Sequence, residues 1–440
     1  MTTITVDTDG QKDPIFIARL LYVLDFIQNH ACAPDDVTFV IDDVRNESKV
    51  IQYSDKGGPL QIVPQKVFFT RSQILLSQPK EIELNIQNYL VKVFANNGGS
   101  EFIPFDIFET IFFHISRYEE WFLEERLLDH HGTLASHHQY LVKNNLQQIP
   151  LVDILVCYFF EKLRLSPKLI ATTITMSHDI DVIQKYPSFY KFLRGYGHIL
   201  LHQSNKFVNL VKHTQTYLNI LFNKQKDPYD TFDWLILKSS ANVTDKTIYW
   251  LTGGKTKYEG FFSINDPKVK KYIQIAKNSG YTIGLHPSYD TITDQKMMTE
   301  ELQILTSITS LNIKYIRQHF LRFDIRHTGF ILDELDIKND SSLGFRDKIG
   351  FRCGTGFPYQ LYNFKKECAF KFKEIPMIIM DIAAMRESQW DSQQFVQLIT
   401  NFLETNKANT HITFNFHNSF FDPVLIDIEY IKKWYLATFN

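Results

Sequence analysis

Apolar positions along this chain change their period partway through. Between Pro104 and Trp121, the residues Ile107, Phe108, Ile111, Phe112 and Ile115 recur at spacings of three and four. That spacing predicts a helix with one apolar face, running on through Ser116, Arg117, Tyr118, Glu119 and Glu120 to Trp121. A second apolar helix is predicted from Leu151 to Leu163. Val37–Ile41 and Val67–Thr70 read as strands. Leu165-Ser166-Pro167 then breaks the pattern and sets a boundary, so residues 1–165 are read as a smaller accessory α+β domain.

Past the boundary, β-branched residues from Ala171 to Ser177 predict a buried strand that delivers His178 and Asp179 at its end. Pro187 to Lys238 is helical and dotted with Lys and His, an insertion at about 188–240. From Ile248 onward short strands alternate with helices. Strands are expected at Ile248–Thr252, Thr282–Leu285, Ile313–Ile316, Ile378–Met380 and His411–Phe416, with a helix opened by Asp266-Pro267 and capped at Gly280. This alternation makes residues 170–440 an α/β domain with a parallel sheet or barrel. In such folds the chemistry sits at the strand C-termini.

Composition narrows the class. The chain has 440 residues, 44% hydrophobic and 22% charged, with 47 basic and 49 acidic side chains. This excludes a globally basic nucleic-acid binder and an acidic disordered chain. Cys32, Cys157, Cys353 and Cys368 form no Cys-x-x-Cys pair, so no disulfide framework or cysteine zinc site is expected. Met1–Pro14 is polar and lacks a signal-peptide pattern, and no apolar run approaches the ~20 residues of a membrane span. The expected compartment is cytoplasmic.

The predicted strand ends carry polar groups four times over: Asp179 and Asp181, His286, Arg317 with His319, and His417. In an extended segment residues two apart point the same way, so Asp179 and Asp181 face one site. Two adjacent buried carboxylates repel unless something intervenes. A divalent metal resolves the conflict by pairing with one and leaving the other free as a base. His286 and Asp290 are four apart, and a helical turn after Pro287 would project both from one face. Imidazole with carboxylates suits Zn, Co, Ni or Mn.

Strand-His178-Asp179-x-Asp181, then Gly284-Leu-His-Pro-Ser-Tyr289, then Arg317-Gln-His-Phe-Leu-Arg-Phe323, then Asp340-Ser-Ser-Leu-Gly344, then Phe416-His-Asn418 resembles the polysaccharide deacetylase (NodB-homology) family. The ordered motifs span about residues 171 to 420 and are most similar to the branch found in Bacteroidetes surface-polysaccharide loci. In that branch an uncharacterised domain precedes the deacetylase, and Ser116-Arg-Tyr-Glu-Glu120 with Ile149-Pro-Leu-Val-Asp153 resembles it. The resemblance implies a distorted (β/α) barrel and metal-assisted removal of an N-acetyl, or O-acetyl, group from a sugar. It implies Asp179 as the base, Asp181 and His286 as metal ligands, Arg317 as the group orienting the base, and His417 as the acid, with Asp381 its partner. The family spaces its first aspartates consecutively, whereas Ile180 intervenes here. Its second metal histidine is replaced by Asp290, which stands as the third ligand, with His178 or His319 as substitutes. Its proline-rich third motif is replaced by Arg317-Gln-His-Phe320.

His178, Tyr289, His319 and Arg352 are expected at the substrate, and Tyr289, Phe320 and Trp390 offer faces for sugar stacking. Asp129-His130-His131 and His137-His138 read as a polar loop, Gly253-Gly254-Lys255 as a turn, Gly350–Gly356 as a loop on the barrel rim, and Cys353 as an inert thiol. Lys206–Lys226 reads as a solvated face, with docking to anionic lipid carriers as the alternative. The expected partner is a carbohydrate, lipid-linked or free, in surface-polysaccharide synthesis, with no nucleic acid; the oligomeric state is left open. Two rivals remain: a glycosyltransferase using Asp179-x-Asp181 to hold metal and nucleotide-sugar, and an inactive sugar-binding homologue.

Overall fold

The computed structural model describes residues 2–43, 49–70, 80–95, 100–202, 205–236, 243–260 and 262–439. Strands β1 (Thr2–Asp7), β2 (Val37–Ile41) and β3 (Lys49–Gln52) form a parallel sheet with β1 in the centre. β4 (Glu81–Ile86) and β5 (Tyr89–Phe94) form an antiparallel pair. Val67–Thr70 is a series of bends rather than a strand. Its backbone turns because the buried Glu109 carboxylate accepts from the amides of Lys66, Val67 and Phe68 at once.

The helix Ile107–Ile115 forms as its periodicity requires, capped by Asp106, which accepts from the Glu109 amide. It does not run on to Trp121. Arg117 adopts a left-handed backbone, φ 56°, and a separate turn Tyr118–Trp121 follows. The break turns the Arg117 guanidinium inward, onto the Arg352 carbonyl at 2.6 Å and onto Glu120. The second apolar helix spans Leu151–Lys162.

The second sheet is the larger one. Its strands are β6 (Thr173–Ile180), β7 (Asp245–Leu251), β8 (Thr282–His286), β9 (Tyr315–Ile316), β10 (Asn339–Asp340), β11 (Tyr359–Asn363), β12 (Cys368–Glu374), β13 (Ile379–Met380) and β14 (His411–Asn415). Their order is β11-β12-β10-β9-β8-β7-β6-β14-β13, parallel throughout except for β11 against β12. The chain is therefore mixed α/β around a large, mostly parallel sheet. Among the described residues its ladder is linear, with β11 and β13 at the edges. Because six neighbouring strands from β9 to β13 run the same way, their C-terminal ends share one edge, and everything that follows those ends is brought together.

Two helices, Phe189–His202 and Lys206–Leu221, occupy the expected insertion after β6, whose end at 237–240 lies outside the described residues. One apolar core joins the two halves of the chain. It runs from Ile4, Phe16 and Phe112 through Leu155 to Trp250, Leu285, Tyr362 and Phe372. Arg19 bridges the halves as well, with its guanidinium on Glu367 at 2.8 and 2.9 Å. A second core packs Phe395, Phe416, Phe421 and Tyr435 behind β14.

Candidate functional site

Strand alternation sorts the side chains of β6 into two sets. Ser177, Asp179 and, just past the strand, Asp181 face one side; His178 and Ile180 face the other. β14 pairs in register, Asn415 beside Ser177. Ile412, Phe414 and Phe416 go into the second core, while Thr413, Asn415 and His417 take the side of Asp179. His178 is thereby turned away from the site: its Nδ1–H donates to the Phe416 carbonyl at 2.9 Å and its Nε2 lies 3.5 Å from Tyr281 Oη. Burial pulls its pKa down to about 4, so it is neutral at ordinary pH.

Asp179 is 2% exposed, and each of its oxygens accepts one hydrogen bond. Arg317 Nη1 reaches Oδ1 at 2.9 Å and Asn415 Nδ2 reaches Oδ2 at 2.8 Å. Arg317 is itself fixed by Ser177 Oγ, Asn415 Oδ1, the Ser341 carbonyl and Ser341 Oγ, all within 2.9 Å. Its guanidinium lies over the Tyr249 ring, 4.4 Å from the centroid. That ring can lie across β8 only because residue 284 is glycine; a Cβ there would sit 2.5 Å from Tyr249 Cδ1. Burial would raise the Asp179 pKa, but the Arg317 charge outweighs it and holds the carboxylate below its ordinary range.

Asp181, His286 and His319 form the cluster best suited to a cation. One ligand atom from each lies within 4.8 Å of the others. His286 Nε2 is 3.2 Å and His319 Nε2 3.8 Å from Asp181 Oδ1, close to the edge of about 3.3 Å expected for ligands on Zn bonds of about 2.0–2.1 Å. His286 Nδ1–H donates to the Arg317 carbonyl at 2.6 Å, which leaves the Nε2 lone pair facing the cluster. His319 Nδ1 faces Glu259 Oε1 at 3.8 Å. Glu259 is anchored by the amides of Thr256 and Tyr289, at 2.6 and 2.8 Å. Asp181 Oδ1 is buried without a hydrogen-bond partner, an orphan acceptor aimed into the cluster. Two imidazoles and a carboxylate with an unused lone pair fit a divalent ion of the Zn type. Asp290, four residues after His286, lies in the short turn Tyr289–Ile292, is exposed, and stands outside this group. The turn after Pro287 is a 3₁₀ turn rather than an α-helix, so residues four apart do not share a face.

His417 closes the site on its other side. Its Nε2 is 3.7 Å from Asp181 Oδ2 and 3.9 Å from Asp179 Oδ2. Asp381, the first residue of the helix after β13, accepts from its Nδ1 at 2.7 Å. Burial alone would lower the pKa, but Asp381, backed by Asp181 and Asp179, raises it to about 10, so the ring is cationic at neutral pH.

These groups line a cavity of about 510 Å³, within the range of small-molecule sites. Its walls include Phe320, Phe345, Arg346 and Arg352, and also His130, His131, Leu134 and His137 from the first half of the chain. The polar loop at 129–139 is thus one wall of the site, held there by Arg346 on Asp129 and Thr133 and by Arg322, whose Nε donates to the His131 carbonyl at 2.8 Å. Arg352 lines the cavity, with three of its donors held by Glu120 at 2.8 and 3.2 Å and by the Gly344 carbonyl. Tyr289 is 9% exposed and stacks on Tyr258 at 4.2 Å, its hydroxyl on His131 Nδ1 at 2.9 Å. It braces the wall rather than facing the cavity. Trp390 is 46% exposed and apart from it. Cys353 is buried, and burial pushes its thiol pKa up.

Sequence reasoning missed Glu259, Asn415, Ser177 and the 129–139 wall. Asn415 carried a signal, a polar residue between Phe414 and Phe416 on a strand. Glu259 carried none, because nothing local marks a loop residue that a distant histidine will face.

A family of unknown function (DUF7033) matches residues 12–166. No curated protein matches the chain. Among solved structures, the chain is similar to a protein from Mycobacterium smegmatis described as a polysaccharide deacetylase. The identity is 12% over 61% of this chain and 84% of that one, with a TM-score of 0.33. It is also similar to a polysaccharide deacetylase from Bacillus cereus, 10% identical over 60% of this chain and 86% of that one, with a TM-score of 0.28.

Proposed function

We propose that the chain is a metal-dependent hydrolase that removes an acetyl group from a sugar of a surface polysaccharide or its precursor. One observation carries this: an ionised Asp179 and a protonated His417 flank a single point beside the Asp181, His286 and His319 cluster. An acid and a base whose environments drive their pKa values apart, next to a cation site, are what amide hydrolysis needs.

Asp181, His286 and His319 would hold the ion, with Zn first and Co, Ni or Mn as alternatives. When bound, it polarises the acetyl carbonyl and acidifies water. Asp179 takes the proton from the attacking water. Its depressed pKa keeps it ionised, and Arg317 with Asn415 fixes which lone pair is free. His417 Nε2–H donates to the leaving nitrogen, and Asp381 orients that ring and keeps it charged. Phe320 and Phe345 give the cavity apolar surfaces for a sugar face, and the 129–139 wall closes it from the side.

The test combines elemental analysis of the purified protein with acetate release from N-acetylated glucosamine oligomers. The expected result is one divalent ion per chain and release that a chelator stops and Zn or Co restores. Protein without bound ion that releases no acetate after metal is added overturns the proposal.

A further inference from the structure

Eleven of the eighteen exposed large apolar side chains among the described residues fall between Phe189 and Phe222. They sit on the two helices inserted after β6. The helices pack antiparallel through one inner face only. Phe192 stacks on Tyr217 at 3.8 Å and on His213 at 5.1 Å, and Tyr196 Oη meets Thr214 Oγ1 at 2.6 Å. Outside this seam, Leu201 and Phe207 are 78% and 79% exposed, and Tyr190 and Phe222 are each 69% exposed. So much uncovered apolar surface on one element marks a docking site rather than a solvated face.

Charge decides what docks. From Phe189 to Lys226 the sequence holds Lys191, Arg194, Lys206, Lys212, Lys224 and Lys226 and no acidic residue. In the rest of the chain acids outnumber bases, so this cation excess is local. A second copy of the same face would meet like charge and be repelled. A basic, amphipathic helix pair with Phe, Tyr, Leu and Val exposed suits a surface that is apolar inside and anionic outside. No helix among the described residues is long and apolar enough to cross a membrane, which leaves lying on one.

The root of the pair adjoins the cavity. Asn418, next to His417, donates to the carbonyls of Val182 and Tyr229, which flank the two helices. Lys185 pairs with Asp422 at 2.6 Å, and Ser419 lines the cavity. We propose that the helices Phe189–His202 and Lys206–Leu221 dock this protein onto an anionic lipid surface, with the cavity presented at that surface. The docking goes beyond the hydrolase reading and is read out separately from turnover.

The experiment is co-sedimentation of the full chain with phosphatidylcholine vesicles, with and without phosphatidylglycerol, at low and high salt. Binding is expected with phosphatidylglycerol and should weaken with salt. The double variant Leu201→Gln, Phe207→Gln should lose roughly tenfold or more in partitioning, because two large apolar side chains no longer insert. Arg194→Glu with Lys212→Glu should abolish the preference for phosphatidylglycerol. These side chains are exposed, so the melting temperature and any acetate release from a soluble substrate should not change. Absence of binding to the anionic vesicles overturns the proposal, as does equal binding by the variants. A lipid-free dimer that Leu201→Gln, Phe207→Gln dissolves, seen by sedimentation velocity together with unbound vesicles, replaces the lipid surface with a second copy of the chain.

Discussion

Asp381 grips His417 twice: it accepts from the backbone amide through Oδ2 at 2.6 Å and from ring Nδ1 through Oδ1 at 2.7 Å. The first bond fixes where β14 ends, and the second fixes the orientation and charge of the ring. A single carboxylate thus couples the register of the loop to the chemistry of the site.

Asp381→Asn tests that coupling. The His417 pKa is raised to about 10 by Asp381 against the pull of burial. A folded value above the ordinary one of about 6.5 stabilises fully below that pH and is lost as pH rises through about 10. The variant should therefore be less stable than the parent at pH 7 and converge with it above pH 10, measured by urea unfolding across pH. The alkaline limb of amide hydrolysis should move to lower pH. An unchanged pH profile would remove Asp381 from the acid's support.

His417→Ala should slow release of acetate from an amide by roughly 10²–10⁴, the usual contribution of a general acid. An activated ester such as nitrophenyl acetate should be spared far more, because its leaving group departs without a proton. A purely structural histidine would lower both rates together and drop the melting temperature.

His319→Ala should lower the metal content of the purified protein, and Asp290→Ala should leave it intact, read by elemental analysis. His319 lies 3.8 Å from Asp181, while Asp290 is exposed on a 3₁₀ turn. Loss of metal from Asp290→Ala with retention in His319→Ala would reverse the ligand assignment.

The positions of the strand ends were legible in the sequence because apolar runs bounded by polar residues fix both the element and its exit. Asp179, Asp181, His286, Arg317 and His417 were found that way, and the structure brings all five together. His178 lies away from the substrate side expected for it because alternation on β6 sends it and Asp179 to opposite faces. The spacing of His286 and Asp290 points to a shared face only on a full α-helical turn after Pro287, which the backbone does not make. The 129–139 loop reads only as polar from sequence, because its partners Arg322 and Arg346 lie about two hundred residues away. Local pattern has no access to such pairings, and the same limit hid Glu259.

The buried ion cluster between the halves of the chain yields the last prediction. Glu120, 4% exposed, takes the guanidinium of Arg352 at 2.8 Å and that of Arg117 on the same oxygen. Arg117 in turn donates to the Arg352 carbonyl. Two buried cations share one carboxylate, and that charge holds its pKa below the ordinary range against the effect of burial. Glu120→Gln keeps the shape and removes the charge, leaving both guanidinium groups without their shared counter-ion. Breaking a buried pair in this way costs about 3–5 kcal/mol, far more than an exposed pair is worth. The loss should appear as a lower urea midpoint at unchanged slope, since the folded surface is the same. Because Arg352 also lines the cavity, the variant should bind its sugar more weakly at temperatures where it remains folded. A midpoint shift worth less than about 1 kcal/mol would mean that the cluster is solvated as an exposed pair would be, and that Glu120 does not tie the first half of the chain to the site.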